Sequence, residues 1–447
     1  MRNVFLDSVE GRVSYAGRRF PSVLAAACAA VSLMGGSAAA AVDYSAPVNY
    51  SDGEYPSIAA GPSGQVRFAW EGLFPDSDFE GGIVTAELRD SGAFSVASPV
   101  AAHVPLVPGP ERSVWDPQLA TNDAGWTCIA FSIYKGEGSS AKFYAGVVTV
   151  APDGTVGQEV DLQPAGGGGS WQLQRTPGDG FVVLWTSMPS GDIRSADISS
   201  DGEVGDSRTV VEATGSEVLI PLGLAADGGR PLVVWSDRET RRVGSVPLDG
   251  SAPRTDVLSP RSFADGPSPV VSGSRIYAFR RNSGGAYELF SVRAGGERPA
   301  ETYFSTRPAA YPTSLRIGEG AGHPVAVWDA AGGDVRAAAL DPADRAHPRT
   351  LTPGPARGKA SRVAVDSDGR ATVIWRKIRR DGYVFEGMAT KLDRRARPGP
   401  VTNFSRHTGI VRQLDVVIDT RDRAVISWNH YGGDPTGNSY VRGMAGP

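Results

Sequence analysis

Val363-Ala-Val-Asp-Ser-Asp-Gly-Arg-Ala-Thr-Val-Ile-Trp375 is the stretch on which the architecture turns. An apolar run meets a small polar turn ending in Gly369, and a second apolar run closes on an aromatic residue. The same phrase returns as Leu414-Asp-Val-Val-Ile-Asp-Thr-Arg-Asp-Arg-Ala-Val-Ile-Ser-Trp428, as Ile58-Ala-Ala-Gly-Pro-Ser-Gly-Gln-Val-Arg-Phe-Ala-Trp70 and as Leu224-Ala-Ala-Asp-Gly-Gly-Arg-Pro-Leu-Val-Val-Trp235. Tight turns between paired strands need φ > 0, which Gly supplies without steric cost. Each copy therefore predicts a β-hairpin whose second strand ends on a bulky anchor.

Eight anchors follow one another: Trp70, Phe131, Trp185, Trp235, Phe279, Trp328, Trp375 and Trp428, spaced 44 to 61 residues apart. A Gly stands six residues before the anchor at Gly64, Gly125, Gly229, Gly273, Gly322 and Gly369. In the third copy the nearest is Gly180, five residues before Trp185, and in the last copy Asp422 holds the place. After each anchor come a variable loop and a third strand, as in Gly82–Leu88, Tyr144–Val150 and Val335–Leu340. A fourth strand ends near Asn, Ser or Thr, as in Pro400–Ser405 and Ala300–Ser305. Four antiparallel strands in a repeating unit of ~40–50 residues predict an all-β fold, a β-propeller. The small turn, Gly, then V-x-W/F pattern resembles the TolB-type and WD-type propeller repeats of exported bacterial proteins across residues 43–447. That resemblance is at the level of fold and brings no catalytic motif with it.

The eighth copy stops after its third strand, near Ser439–Met444, while Tyr44-Ser-Ala-Pro-Val-Asn-Tyr-Ser51 resembles Gly399-Pro-Val-Thr-Asn-Phe-Ser405. The N-terminal segment is thus expected to be a spare fourth strand that closes the last blade and leaves no long unpaired edge. Eight blades follow. Seven is the alternative, because the unit around Phe279 is short and has no Trp.

The chain begins with Arg2, Arg12, Arg18 and Arg19, an apolar run over residues 23–34, and small residues through Ala41. These are the parts of a secretory signal peptide, expected over residues 1–41, and the run is too short for a stable membrane anchor. Arg18-Arg19 makes twin-arginine export the variant route, and Cys28 makes a lipid anchor the alternative to free secretion. Residues 42–447 are read as one exported domain. With Cys28 removed only Cys128 is left, inside the apolar run Trp126–Phe131, so it is expected to be a buried, unreactive thiol.

Composition narrows the function classes. Of 447 residues, 56 are Gly and 33 Pro, a content that interrupts long helices, while 40% hydrophobic residues are too many for a disordered chain. A net charge of −4 sets aside a dedicated nucleic-acid binder. No further segment reads as a membrane span, and a monomer is expected.

In this topology the innermost strand of each blade starts at one face, here the top, and the repeated Gly turns lie at the bottom. The variable loops share the top, where binding on a rigid scaffold usually sits. The residues following the anchors, Glu71, Ser132, Thr186, Ser236 with Asp237, Arg280, Asp329, Arg376 and Asn429, are expected to ring that rim. Just ahead of the inner strands come Tyr55, Trp115-Asp116, Trp171 and Tyr311. Aromatic rings there suit stacking on sugars, with carboxylates and Arg giving directional hydrogen bonds. The opposing expectation is that these rings pack beneath the links between blades and the charges are only solvated.

Catalytic and cofactor signals are weak. The five His residues show no zinc-binding spacing. Asp366-Ser-Asp-Gly369 begins like a calcium loop but falls at a bottom turn. Gly167-Gly-Gly169 opens no helix, and no G-x-S-x-G elbow is present. A sialidase-like repeat places its Trp about three residues after the Gly, against six here, and surplus Arg such as Arg281, Arg380 or Arg412 is a weak sign in an Arg-rich chain. No catalytic residue, metal or cofactor is therefore assigned. The sequence supports an extracellular binding module for a glycan or protein of the cell envelope. A glycan-cleaving hydrolase or lyase using Glu71, Asp237 and Asp329 is the rival, and a structural surface protein the third reading.

Overall fold

A computed structural model describes residues 48–446 apart from 63, 74–80, 89–94, 96–97, 103–111, 136–141, 163–169, 177, 260–265, 297–299, 307–310, 321, 341–347, 353–356, 379–384, 406–409 and 432–438. The expected signal peptide, Cys28 and residues 44–47 of the spare strand lie outside the described residues.

The repeated hairpins fold into eight antiparallel blades, with no helix among the described residues. The inner strands are Val48–Ala60, Arg112–Thr121, Trp171–Arg175, Leu219–Asp227, Val270–Ser272, Arg316–Gly318, Arg357–Val365 and Ile410–Ile418. Each of the first seven is followed outward by its second, third and fourth strand in chain order, and each inner strand touches the next around a circle. The chain is an eight-bladed β-propeller. The short unit around Phe279 is a full four-stranded blade, Val270–Ser272, Arg275–Arg281, Tyr287–Arg293 and Glu301–Ser305, which settles eight over seven.

The eighth blade has three strands of its own, ending with Ser439–Gly446. The first part of Val48–Ala60 runs antiparallel to that strand, with Val48, Asn49 and Asp52 opposite Gly443, Arg442 and Tyr440. From Gly53 onward the same strand pairs into blade 1.

The anchors explain why flat sheets assemble into a ring. All eight are fully buried. Along a second strand successive side chains alternate between the two faces of the blade. In blade 3, Phe181, Val183 and Trp185 pack back on blade 2, while Val182 and Leu184 pack forward on blade 4. Trp70, Phe131, Trp235, Trp328, Trp375 and Trp428 also point back into the seam with the preceding blade. Fourth-strand rings of the preceding blade cover two of them. Phe304 stacks on Trp328, and Phe404 meets Trp428 edge-on, each at 5.0 Å between centroids. Where an anchor leans across its own blade, the opposite residue must be small: a Cβ on Gly244 would fall 2.2 Å from Trp235.

Phe279 breaks the pattern. Ile276 and Ala278 face back to blade 4, whereas Tyr277 and Phe279 face forward to blade 6, where Phe279 meets Trp328 at 5.8 Å. The cause is the turn. Both blade 4 and blade 5 have two-residue hairpins, but Gly229 is the second turn residue and Gly273 the first. Counting six from the first lands on the opposite face. In blade 5 the seam with blade 4 is filled instead by Phe290 from the third strand.

The bottom turns are equally regular. In the turn at Asp366, the N–H groups of Asp368 and Arg370 donate to its Oδ1 at 3.0 and 2.7 Å, and Gly369 has φ +77°. This is an Asx-type turn, so the calcium-loop resemblance is accounted for by backbone hydrogen bonds. In the third copy the residue six before the anchor is Asp179, with φ 62°, in the role that Gly180 was expected to hold. Asp422 is the same case, with φ 57°. Asp tolerates this conformation better than most residues. Here its carboxylate also serves the neighbouring blade. Asp179 accepts from Asp123 N–H at 2.7 Å, and Asp422 from Ser367 N–H and Oγ at 3.0 and 2.8 Å.

Cys128 is buried and free, and burial pushes its thiol well up, away from a nucleophilic thiolate. Trp375→Ala should cost ~3–5 kcal/mol in chemical denaturation, the range for emptying a large core site. Deletion of residues 44–52 tests the expected latch: a lowered melting temperature with intact β signal is the outcome expected, and an unchanged one would show that the ring closes without it.

Candidate functional site

The top face is built by two features of each blade, the end of the second strand and the start of the inner strand of the next. At three seams these meet through a hydrogen bond. Ser132 Oγ accepts from Trp171 Nε1 at 3.1 Å. Thr186 Oγ1 donates to the Leu219 carbonyl at 2.6 Å. Asp329 accepts from Ala360 N–H and Ser361 Oγ, both at 2.8 Å, holding a bulge in which Ala360 has φ 55°. The residue after the anchor is thus an inter-blade tie at these seams, a role the sequence reading did not foresee.

Several expected rim residues are engaged in this way or within their own blade. Asp329 is buried by its tie, and Trp171 is buried in the seam between blades 2 and 3. Asp237 is buried as a turn cap, accepting from Glu239 N–H at 3.1 Å and from Thr240 Oγ1. Asn429 is fully buried. Arg280, displaced by the shifted register of blade 5, binds Glu288 and Thr302 at 3.0 Å each and lies over Phe290. Trp115 is half-buried against Tyr134 and Phe143.

The others stay accessible. Tyr55 and Tyr311 are the large exposed hydrophobics of the described residues, at 36% and 39%. Tyr55 and Asp116 head equivalent inner-strand bulges with φ 53° and 56°. Tyr311 packs edge-on against Tyr287 at 5.3 Å and flanks a cleft of about 520 Å³ that runs past Pro267, Ser268 and Ser314 to Arg316.

Two further seams bring like charges together near the rim. Between blades 1 and 2, Glu71 stands near Asp116, which keeps an exposed face while partial loss of surrounding water and Glu71 push its carboxyl up. Between blades 7 and 8, Arg376 stands near Arg412, and the Arg376 guanidinium is pushed down by burial and by Arg362, with Arg412 adding to it and Asp329 opposing. Arg376 lies over the Phe385 ring at 5.1 Å, with Lys359 on the same ring at 4.9 Å.

One step further down the channel, opposite the residue that precedes the anchor, the inner strands carry Gln118, Arg316, Arg362 and Asp415. Gln118 and Asp415 accept backbone N–H groups of the next inner strand, from Leu173 at 3.5 Å and Ile58 at 3.2 Å. Gln174 does the same for Leu224. Arg316 and Arg362, being donors only, close no such bond and donate instead to the carbonyls of Leu315 and Ser361. Arg316 keeps an exposed face, yet partial loss of surrounding water and the nearby Arg362 push it down, against the pull of Asp329 and Asp415. Arg316 and Arg362 were not singled out in the sequence, because nothing marks them apart from the other Arg residues until the blades are in register. Among the described residues no three His, Cys, Asp or Glu gather as metal ligands.

No family model and no curated protein sequence matches the chain. Among solved structures it is similar to the Dos1 propeller at 11% identity and a TM-score of 0.51, over 91% of this chain and 95% of that one. The WD40 domain of SCAP from fission yeast aligns at 10% identity and a TM-score of 0.49, over 89% and 96%. A prolyl endopeptidase aligns at 14% identity and 0.48, over 86% of this chain but 55% of the longer enzyme. The likeness to the Dos1 propeller shows the fold alone.

An ion network in the link between blades 3 and 4 gives a pH test. Burial pushes Glu217 up, but Arg254 at 2.9 Å and the Thr214 N–H and hydroxyl at 2.9 and 2.8 Å outweigh it, holding the carboxyl at about 2. A carboxyl depressed on folding stabilises above its unfolded value near ~4.3, and that stabilisation is lost as pH falls toward 2. Glu217→Gln should cost on the order of 1–3 kcal/mol at pH 7 and flatten stability against pH across this window, measured by denaturant titration.

Proposed function

We propose that the chain is an exported binding module that docks a cell-envelope glycan on the top face of its propeller. One observation carries this reading. The large apolar side chains left exposed among the described residues, Tyr55 and Tyr311, both stand on the top face at the heads of inner strands, and Tyr311 walls a cleft of about 520 Å³. Rings that present a flat apolar face beside hydrogen-bonding groups suit sugar recognition. The fold supports a binding role in general, and export rests on the N-terminal residues.

Mature protein is expected to bind glycan chains on an array, with Tyr311→Ala and Tyr55→Ala each weakening the binding about tenfold, close to 1.4 kcal/mol, at unchanged melting temperature. Failure of every glycan to bind would overturn the reading.

A hydrolase is the second reading, and the Glu71–Asp116 pair favours it, because a carboxyl raised by desolvation and by a neighbouring carboxylate is suited to proton donation. The other two acids of that reading, Asp237 and Asp329, hold a turn and a seam. Release of reducing sugar abolished by Glu71→Gln and Asp116→Asn would replace binding by catalysis.

A further inference from the structure

The inner strands of blades 6 and 7 carry guanidinium groups where blades 2 and 8 carry hydrogen-bond acceptors. Gln118, Gln174 and Asp415 each take a backbone N–H of the following blade. Arg316 and Arg362 stand at the level of Gln118 and Asp415, and a cation there cannot make that bond. Arg376 sits above them at the rim, beside Arg412. Among the described residues Arg316, Arg362 and Arg376 form no ion pair, and the Nε of Arg376 is buried without a partner. Asp329 and Asp415 lie within electrostatic reach, yet both are committed to backbone N–H groups. The fold thus assembles positive charges side by side, with Arg362 and Arg376 half-buried and Arg316 exposed, an arrangement that Asp329 and Asp415 offset in part and that a further anion would relieve.

Guanidinium forks match the paired oxygens of carboxylates and phosphates. The cleft beside Tyr311 ends on Arg316, so a sugar ring resting on the tyrosine would bring an attached acid group to the cationic wall. Glu71 and Asp116, at the seam between blades 1 and 2, would repel the same group.

Resting on the glycan-binding reading above, we infer that the ligand is an acidic glycan chain, whose carboxylate or phosphate groups are held by Arg316, Arg362 and Arg376 while Tyr311 carries a sugar ring. Three probes separate the sources of charge: oligogalacturonate for carboxylate, poly(glycerol phosphate) for phosphate, and dextran as a neutral chain. Calorimetric titration of the mature protein should show one of the acidic chains binding at least about tenfold tighter than dextran. That advantage should shrink as sodium chloride rises from about 50 to about 500 mM, since screening shortens with salt. Arg316→Gln and Arg362→Gln should each remove most of the advantage, and Arg362→Lys should keep part of it. Their melting temperatures should hold or rise, because removing one of several unpaired like charges relieves repulsion. A fall of many degrees in both Gln variants would assign these residues to the scaffold and overturn the inference. Equal binding of acidic and neutral chains, unaltered by the Gln variants, would overturn it while leaving the glycan reading intact. Binding of none of the three, together with a blank glycan array, would overturn both.

Discussion

Everything in this molecule depends on a bulky ring wedged into the seam between neighbouring sheets. A single four-stranded blade has two apolar faces and no way to bury both. Stacking blades in a circle buries them, and the anchors set the angle at which they meet. The four indoles of Trp185, Trp235, Trp328 and Trp428 leave their Nε1–H groups buried without partners among the described residues. Their contribution is therefore volume and shape, which is why Phe131 performs the same task in blade 2.

The polar chemistry follows from that packing. Once the sheets stand side by side, the head of each inner strand meets the end of the previous second strand, and backbone groups in that narrow gap need partners. Ser132, Thr186 and Asp329 supply them. Lower in the channel Gln118, Gln174 and Asp415 do so. Against this background of ties, the seams bearing Glu71 with Asp116 and Arg376 with Arg412 stand out as places where like charges are brought close. Such departures from a repeating rule are where a function is usually located.

The repeat made the fold legible. Eight successive hairpins fix the blade number, because hydrophobic period and turn chemistry are local properties written in consecutive residues. Register within a turn is less visible. Gly229 and Gly273 look alike in sequence, yet one is the second and the other the first residue of its turn, and this sends Phe279 to the opposite face from the other anchors. Asp179 was hidden behind Gly180 for a related reason, since only the observed φ shows which of two neighbours turns the chain. The site was legible as a face and only partly as residues. Tyr55, Asp116, Tyr311 and Arg376 were marked by position, whereas Arg316 and Arg362 acquire meaning only from what their counterparts do in other blades. Asp237 and Asp329 look like candidate acids until their hydrogen bonds are seen.

The reversal of Phe279 makes the ring uneven. The seam between blades 5 and 6 gathers six aromatic rings, Tyr277, Phe279, Tyr287, Tyr303, Phe304 and Trp328, while among the described residues the core between blades 4 and 5 has Phe290 alone among aliphatic neighbours. Cohesion is thus concentrated on one side of blade 5 and thinned on the other. Under strain blade 5 would therefore part from blade 4 before it parts from blade 6, which gives this repeating wheel a direction it would otherwise lack.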